Sequence, residues 1–225
     1  MALADRKPDA TEIRLAALEM PEGGCISPAR EAALARVRDM GLPQRRDEYW
    51  KYTRPDRLVQ PEPIPAAVFD AGEAPMFDAF DRLKIVFVDG VFDPAASDDL
   101  ELEGVRIDRI ADICCKDIHW AKDLYGTLEA NGQTPVERPL AALNTAFATD
   151  GILMRVTGKV SKPINLIYHH KSDSSDAILH HVVKVEEGGD VTILENGPAA
   201  ARFNKVMEVD VADRSGFHHV RTQGR

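Results

Sequence analysis

The fold turns on the stretch 150–211, DGILMRVTGKVSKPINLIYHHKSDSSDAILHHVVKVEEGGDVTILENGPAAARFNKVMEVDV. It breaks into short β-prone runs at 152–157, 164–169, 178–185, 191–195 and 205–211, and a sixth follows at 217–222. Gly, Pro, Asn or Asp separates the runs, and their starts recur about every 12 to 15 residues. Within a run apolar and polar residues alternate, as in Val206-Met207-Glu208-Val209-Asp210-Val211, so each run buries one face. No exact repeat is present. Regular spacing alone therefore predicts stacked β-solenoid rungs over 151–225, with apolar positions inward. Hairpins joining consecutive strands would contradict that expectation.

Working backward from Asp150, the segment 61–150 reads as a mixed α/β connecting region. It opens on PEPIPAA, too stiff and too poor in N–H donors for helix or central strand. Leu83-Lys-Ile-Val-Phe-Val then predicts a buried strand, and Asp89-Gly90 turns it into Val91-Phe92 as a hairpin. Ile110, Cys114, Ile118, Ala121 and Tyr125 stand three to four apart, as on the buried stripe of a helix. Pro139 starts another helix, carrying Leu140, Leu143 and Phe147.

Residues 1–60 read as a helical domain. Asp9 or Thr11 is placed to cap a helix through Met20, with Ile13, Ala16, Ala17 and Met20 on its face. The next helix has Ser27 as its cap, Pro28 in its first turn, Ala33, Val37 and Met40 on one side, and Gly41 beyond its end. The fold class is thus α+β, mainly β: an N-terminal helical domain followed by the opening rungs of a β-helix. A solenoid whose last run is followed only by Gln223-Gly224-Arg225 has an open end, so the chain reads as cut short, and self-association through that end is expected.

Hydrophobic residues make up 44% of the 225, enough for a packed core. The formal charge of −9 argues against nucleic acid or an anionic membrane as the main partner, since both demand a basic face. No apolar run is long enough to span a bilayer, and the opening MALADRKPDATE lacks the layout of a signal peptide. Cys25, Cys114 and Cys115 cannot pair evenly and form no CxxC, which fits a reducing cytoplasm.

Histidine offers the densest chemistry, in the pairs His169-His170, His180-His181 and His218-His219. Strand neighbours point to opposite faces, so each pair sends one imidazole inward and one outward. His169, His181 and His219 on one face would give a cupin-type metal enzyme, the alternative function. Polar histidines on a solvated face are the simpler reading, because no HxH puts two ligands on one side of a strand. Cys114-Cys115 fits core packing better than cluster ligation, since helix neighbours diverge by about 100°. Glu186-Glu187-Gly188-Gly189-Asp190 reads as a polar turn without calcium-loop spacing. No GxGxxG, P-loop, GxSxG or HExxH is present.

GLPQRRDEYWKYT (41–53) concentrates three large aromatics within a charged segment. It resembles the LPxRxxExWKYT signature near the start of SufD-type iron–sulfur cluster assembly proteins. LKIVFVDGVFDP (83–94), PLAALNTAFATDGILMRVTGKVSKPINL (139–166) and HHVVKVEEGGDVTILENG (180–197) resemble the same family, so the likeness runs from about residue 28 to the end. It implies an N-terminal helical domain, a right-handed parallel β-helix and a C-terminal helical domain, of which this sequence holds the first and the start of the second. It also implies a non-enzymatic scaffold, SufD, acting with SufB and the SufC ATPase to build and transfer Fe–S clusters. A flavin is associated with the complete complex, and no cofactor is expected in this chain. The family's cluster-related histidine and SufB-facing residues lie late in the β-helix and map onto no position here. No catalytic or metal residue is therefore assigned, cofactor-binding residues are left open, and the chain alone is expected neither to bind SufC tightly nor to assemble clusters. Trp50 and Tyr52 are expected at the junction of helices and β region, at least one largely buried, with Trp50→Ala costing on the order of 3 kcal/mol.

Overall fold

The computed structural model describes residues 7–68, 76–113, 119–197 and 199–222. Its first sheet element is the expected hairpin: β1 (Leu83–Val88) turns at Asp89-Gly90 into β2 (Val91–Phe92), with Phe87 opposite Phe92. Asp89 and Gly90 both have positive φ, 51° and 85°, the geometry a two-residue hairpin needs to match strand twist. The Asp89 carboxylate accepts hydrogen bonds from the N–H groups of Lys171 and Ser172 and from the Ser175 hydroxyl, fastening the hairpin tip to a distant loop. Desolvation opposes its charge, but these donors outweigh it and hold its pKa below the usual value.

After β3 (Val105–Arg109) the strands come in a fixed rhythm. They are β4 (Ile152–Val156), β5 (Ile164–His169), β6 (Asp176–Val185), β7 (Asp190–Asn196), β8 (Arg202–Val211) and β9 (Gly216–Arg221). Successive strands go to alternate sheets. One sheet has the order β3-β4-β6-β8 and the other β2-β1-β5-β7-β9. Every pairing among β4 to β9 is parallel, with Asn165 beside Leu194, 29 residues on, and Asp176 beside Arg202, 26 residues on. Among the described residues antiparallel pairing is confined to β1–β2 and β3–β4 and to the Leu102–Val105 bridge, and no consecutive pair from β4 to β9 forms a hairpin. The result is a mixed α/β structure of two open sheets rather than a closed barrel, with β8 and β9 on their outer edges.

The inward faces of both sheets make one core, including Ile85, Phe87, Met154, Leu166, Tyr168, Val183 and Ile193. β6 is buried at nearly every position, because β4 and β8 flank it and a helix covers its outer face. That helix is α6 (Pro139–Phe147). The helices are α1 (Lys7–Ala16), α2 (Ser27–Met40), α3 (Asp56–Val59), α4 (Ile110–Ile113), α5 (Thr127–Asn131) and α6 (Pro139–Phe147). Pro28 lies in the first turn of α2, and Gly41 caps its end through a bond to the Val37 carbonyl. Ala33 and Val37 of α2 share a core with Ala142, Leu143 and Phe147 of α6. Elements from all three sequence zones thus meet around the sheets.

Three expectations need correction. The α1 helix stops at Ala16 and buries Thr11, Arg14 and Leu15, leaving Ile13 exposed. Polar partners set its rotation: Thr11 Oγ1 accepts the Leu42 N–H at 2.8 Å, and Arg14 reaches Asp176 and the Pro61 carbonyl. The single helix expected through Ile110 and Tyr125 is broken. α4 is described over Ile110–Ile113, His119 is extended, and Trp120–Asp123 is a 3₁₀ turn. Ile110, Ala121 and Tyr125 are nonetheless buried together, while Cys114, Cys115 and Ile118 lie outside the described residues. Lastly, the aromatic cluster is not a buried junction. Trp50 ends the 3₁₀ turn Glu48–Trp50 half-buried, and Tyr49 and Tyr52 are 68% and 91% exposed. Tyr52 meets only the Lys51 ammonium, 5.3 Å from its ring centre, among the aromatic and cation contacts of the described residues. Tyr52→Ala should leave stability within about 0.5 kcal/mol of the parent by urea titration, as for other solvent-facing positions.

Candidate functional site

Five strands each send one polar side chain into the space between the sheets: Tyr168 (β5), His181 (β6), Glu195 (β7), Lys205 (β8) and His219 (β9). They occupy inward positions because strand residues alternate, and Phe87, Leu166, Val183 and Phe203 are their neighbours in the core. Glu195 is 0% exposed and is the centre of the group. Its Oε1 accepts from Tyr168 Oη at 2.7 Å and Lys205 Nζ at 2.6 Å. Its Oε2 accepts from Lys205 Nζ and from His219 Nε2 at 2.9 Å.

The backbone settles the proton positions. The Ile152 N–H donates to His181 Nδ1 at 3.0 Å, so that nitrogen carries no proton. His181 Nε2–H then donates to Tyr168 Oη at 2.9 Å, and the tyrosine passes its own hydrogen to Glu195. Burial, then the nearby Lys205 charge, lowers the His181 pKa to about 3, so the ring stays neutral. Desolvation raises the Glu195 pKa, but Lys205 and the Tyr168 hydrogen bond more than reverse this and bring it to about 2. Burial and the Glu195 charge push the Tyr168 hydroxyl well above its usual value. With every carboxylate oxygen occupied, the arrangement can hold one ion pair in a dry interior.

These shifts fix an acid response. The His181 pKa falls from 6.5 in the unfolded chain to about 3, and that of Glu195 falls from 4.5 to about 2, so the unfolded state binds more protons in acid. The stability these groups contribute is complete above about pH 6.5 and drains away as pH drops toward 2. At one proton per residue, His181 alone should cost on the order of 2 kcal/mol between pH 6.5 and 5. Denaturant titrations at both pH values check this, and a His181→Gln chain should lose less over the interval. Equal losses in parent and variant would remove His181 as the cause.

A second buried carboxylate works on the outer face of the β6–β8 sheet. Glu208 accepts from His180 Nε2 at 2.6 Å and from the N–H groups of Gly126, Leu128 and Glu129. Those amides open α5, whose unpaired N–H groups favour a negative charge. His180 packs against Tyr125 with the rings tilted by 32° and their centres 4.3 Å apart. Desolvation works against the Glu208 charge, yet His180 and the amides keep its pKa below normal. The pair docks the helices onto the strands.

The histidine pairs split as alternation requires. His181 and His219 face inward, while His180 faces the helices. His169 ends β5 in solvent, and His170 bonds the Ser172 carbonyl. His169, His181 and His219 therefore do not converge, and among the described residues no three His, Cys, Asp or Glu stand together to hold a metal. Cys25 is half-buried against the Ile26–Ile110–Tyr125 cluster. Glu186 to Asp190 is the β6–β7 turn, with Glu186 bonded to Arg155. Reading the sequence did not single out Glu195 or Lys205. The available signal was a charge at an inward position on each of two neighbouring runs, of opposite sign.

No match to the chain is found among curated proteins. A family model described as the SufBD protein N-terminal region matches residues 15–166, more than half of the sequence. That span runs from α1 through β5, the first strand to add in parallel to β1. By that match the chain belongs to the SufBD family of iron–sulfur cluster assembly proteins.

Proposed function

We propose that this chain is a SufD-like scaffold component that acts with SufB and the SufC ATPase in building and transferring Fe–S clusters, and is not itself an enzyme. The family match over 15–166 carries the reading. Two features of the fold support it. The parallel strands that alternate between two sheets from β4 to β9 have the connectivity of a β-helix, the form the family resemblance implies. The polar side chains inside that coil are bonded to one another, as in a structural element rather than a catalytic cleft. β8 and β9 are the outer strands, with Val211 and Val220 exposed beside them, so a further strand from this protein, a second copy or a partner would add there.

The Fe–S cluster in this reading is cargo. The half-open pocket of about 190 Å³ beside Arg14 and Phe203 has room for a small molecule and not for an isoalloxazine with its tail. In this reading the flavin belongs to the complete complex and not to this chain. A cytoplasmic location is part of the proposal. Among the described residues, no helix is long and apolar enough to cross a membrane. The test is affinity purification of the natural protein, tagged at its N-terminus and expressed from its own locus. SufB-type and SufC-type proteins should co-purify, and recovery of neither would overturn the assignment.

A further inference from the structure

Arg14 of α1 and Arg202 at the start of β8 share a single carboxylate, Asp176 at the start of β6. Arg14 reaches Asp176 Oδ2 at 2.7 Å, while Arg202 grips both oxygens at 2.8 and 2.6 Å. Both guanidinium groups are buried. Arg202 spends its remaining donors on the carbonyls of Gln60 and Pro61, and Arg14 gives one more to Pro61. The Arg14 Nε–H, fully buried, has no partner. Among the described residues no other carboxylate pairs with either arginine. Among the described residues one buried positive charge is left over, with only the exposed Glu62 as a further carboxylate acting on Arg14, and an unmatched buried charge is costly unless something of opposite sign joins it.

Beside this charge lies a pocket of about 190 Å³. Arg14, Asp176, Arg202, Asn204 and Lys205 form its polar side, and Leu58, Leu140, Leu143 and Phe203 its apolar side. We propose that the pocket binds a small monocarboxylate with an apolar tail of roughly six carbons, the head on the Arg14 guanidinium and the tail among the leucines. The size follows from apolar cavities of about 150 Å³, which accept a benzene ring. A single excess positive charge matches a monoanion and leaves a phosphate dianion overcharged. The planar guanidinium fork also suits a carboxylate. The apolar wall gives the tail its share of the affinity. Because the pocket joins α1, α3 and α6 to the β6–β8 sheet, a bound ligand would tie the helices to the strands.

Calorimetric titration of the whole chain with hexanoate, 1-hexanol and inorganic phosphate tests the assignment. Hexanoate should bind saturably below about 1 mM, with hexanol and phosphate each at least about tenfold weaker. Leu58→Trp fills the space from α3, where Leu58 is half-buried, and should weaken hexanoate about tenfold with the melting temperature unchanged. Arg14→Met should abolish the preference for hexanoate over hexanol. Where that variant does not fold, the Leu58→Trp result decides. No saturable hexanoate binding up to about 10 mM, equal binding of acid and alcohol, or full binding by Leu58→Trp would overturn the proposal.

Discussion

Replacing Lys205 with Met should destabilise the chain by about 3 to 5 kcal/mol, a large part of a typical domain's total stability. The loss comes from what remains rather than from what is removed. Glu195 stays fully buried between the sheets, without the ammonium that holds its pKa near 2. Tyr168 and His219 still donate to it, but a neutral hydroxyl and a half-exposed imidazole do not balance a buried charge. Adding Glu195→Gln removes that charge while keeping one acceptor oxygen, placed for the Tyr168 hydroxyl. The double variant should therefore be more stable than Lys205→Met alone. Urea titrations of the parent, Lys205→Met, Glu195→Gln and the double variant measure this, and a double variant equal to the sum of the singles would mean the pair is not coupled.

Gly151→Ala should be at least as damaging, costing more than about 3 kcal/mol or leaving the protein insoluble. Gly151 stands just before β4 at φ 154°, and a Cβ there would lie 1.8 Å from the His180 carbonyl oxygen and 2.6 Å from its carbon. Both obstacles are backbone atoms of β6, so no side-chain rotation relieves the clash. Separating the strands would break the His180 N–H bond to the Asp150 carbonyl and the Ile110 N–H bond to the Gly151 carbonyl. Gly158→Ala is the control, since its new Cβ meets nothing nearer than 3.7 Å. Its melting temperature should stay close to the parent's, whereas a well-folded Gly151→Ala chain would show that β4 and β6 tolerate separation.

The strands were legible because each announces itself locally. Alternation and turn residues located all six runs after Asp150, and Asp89-Gly90 located the hairpin. Short helices were less legible. Ile110, Ala121 and Tyr125 do share a buried cluster, but they reach it through a turn and an extended His119, which periodicity cannot separate from one continuous helix. The rotation of α1 was hidden for another reason. Arg14 reads as a surface residue, and only its partner 162 positions away makes it an inward one. Aromatic density misled in the opposite direction at Tyr49 and Tyr52, since composition does not say whether another element arrives to cover a ring. The Glu195 group lay between these cases. Each member broke an apolar alternation visibly, but their convergence depends on the register of five strands.

The parallel coil also sets an order of events during synthesis. Strands β4 to β9 find their partners 26 to 29 residues away, whereas β1 must wait for β5 and α2 for α6. Each doubling of a closed loop costs only about 0.6 kcal/mol, so the delay is one of timing more than of energy. The ribosome releases the amino-terminal helices first, at about 5 to 20 residues per second. For several seconds, then, α1 and α2 are made but unsupported. Arg14 lacks its Asp176 partner until that residue emerges, and Ala33, Leu34 and Val37 of α2 face water until α6 arrives. That interval, rather than the finished molecule, is when this chain would most depend on a chaperone.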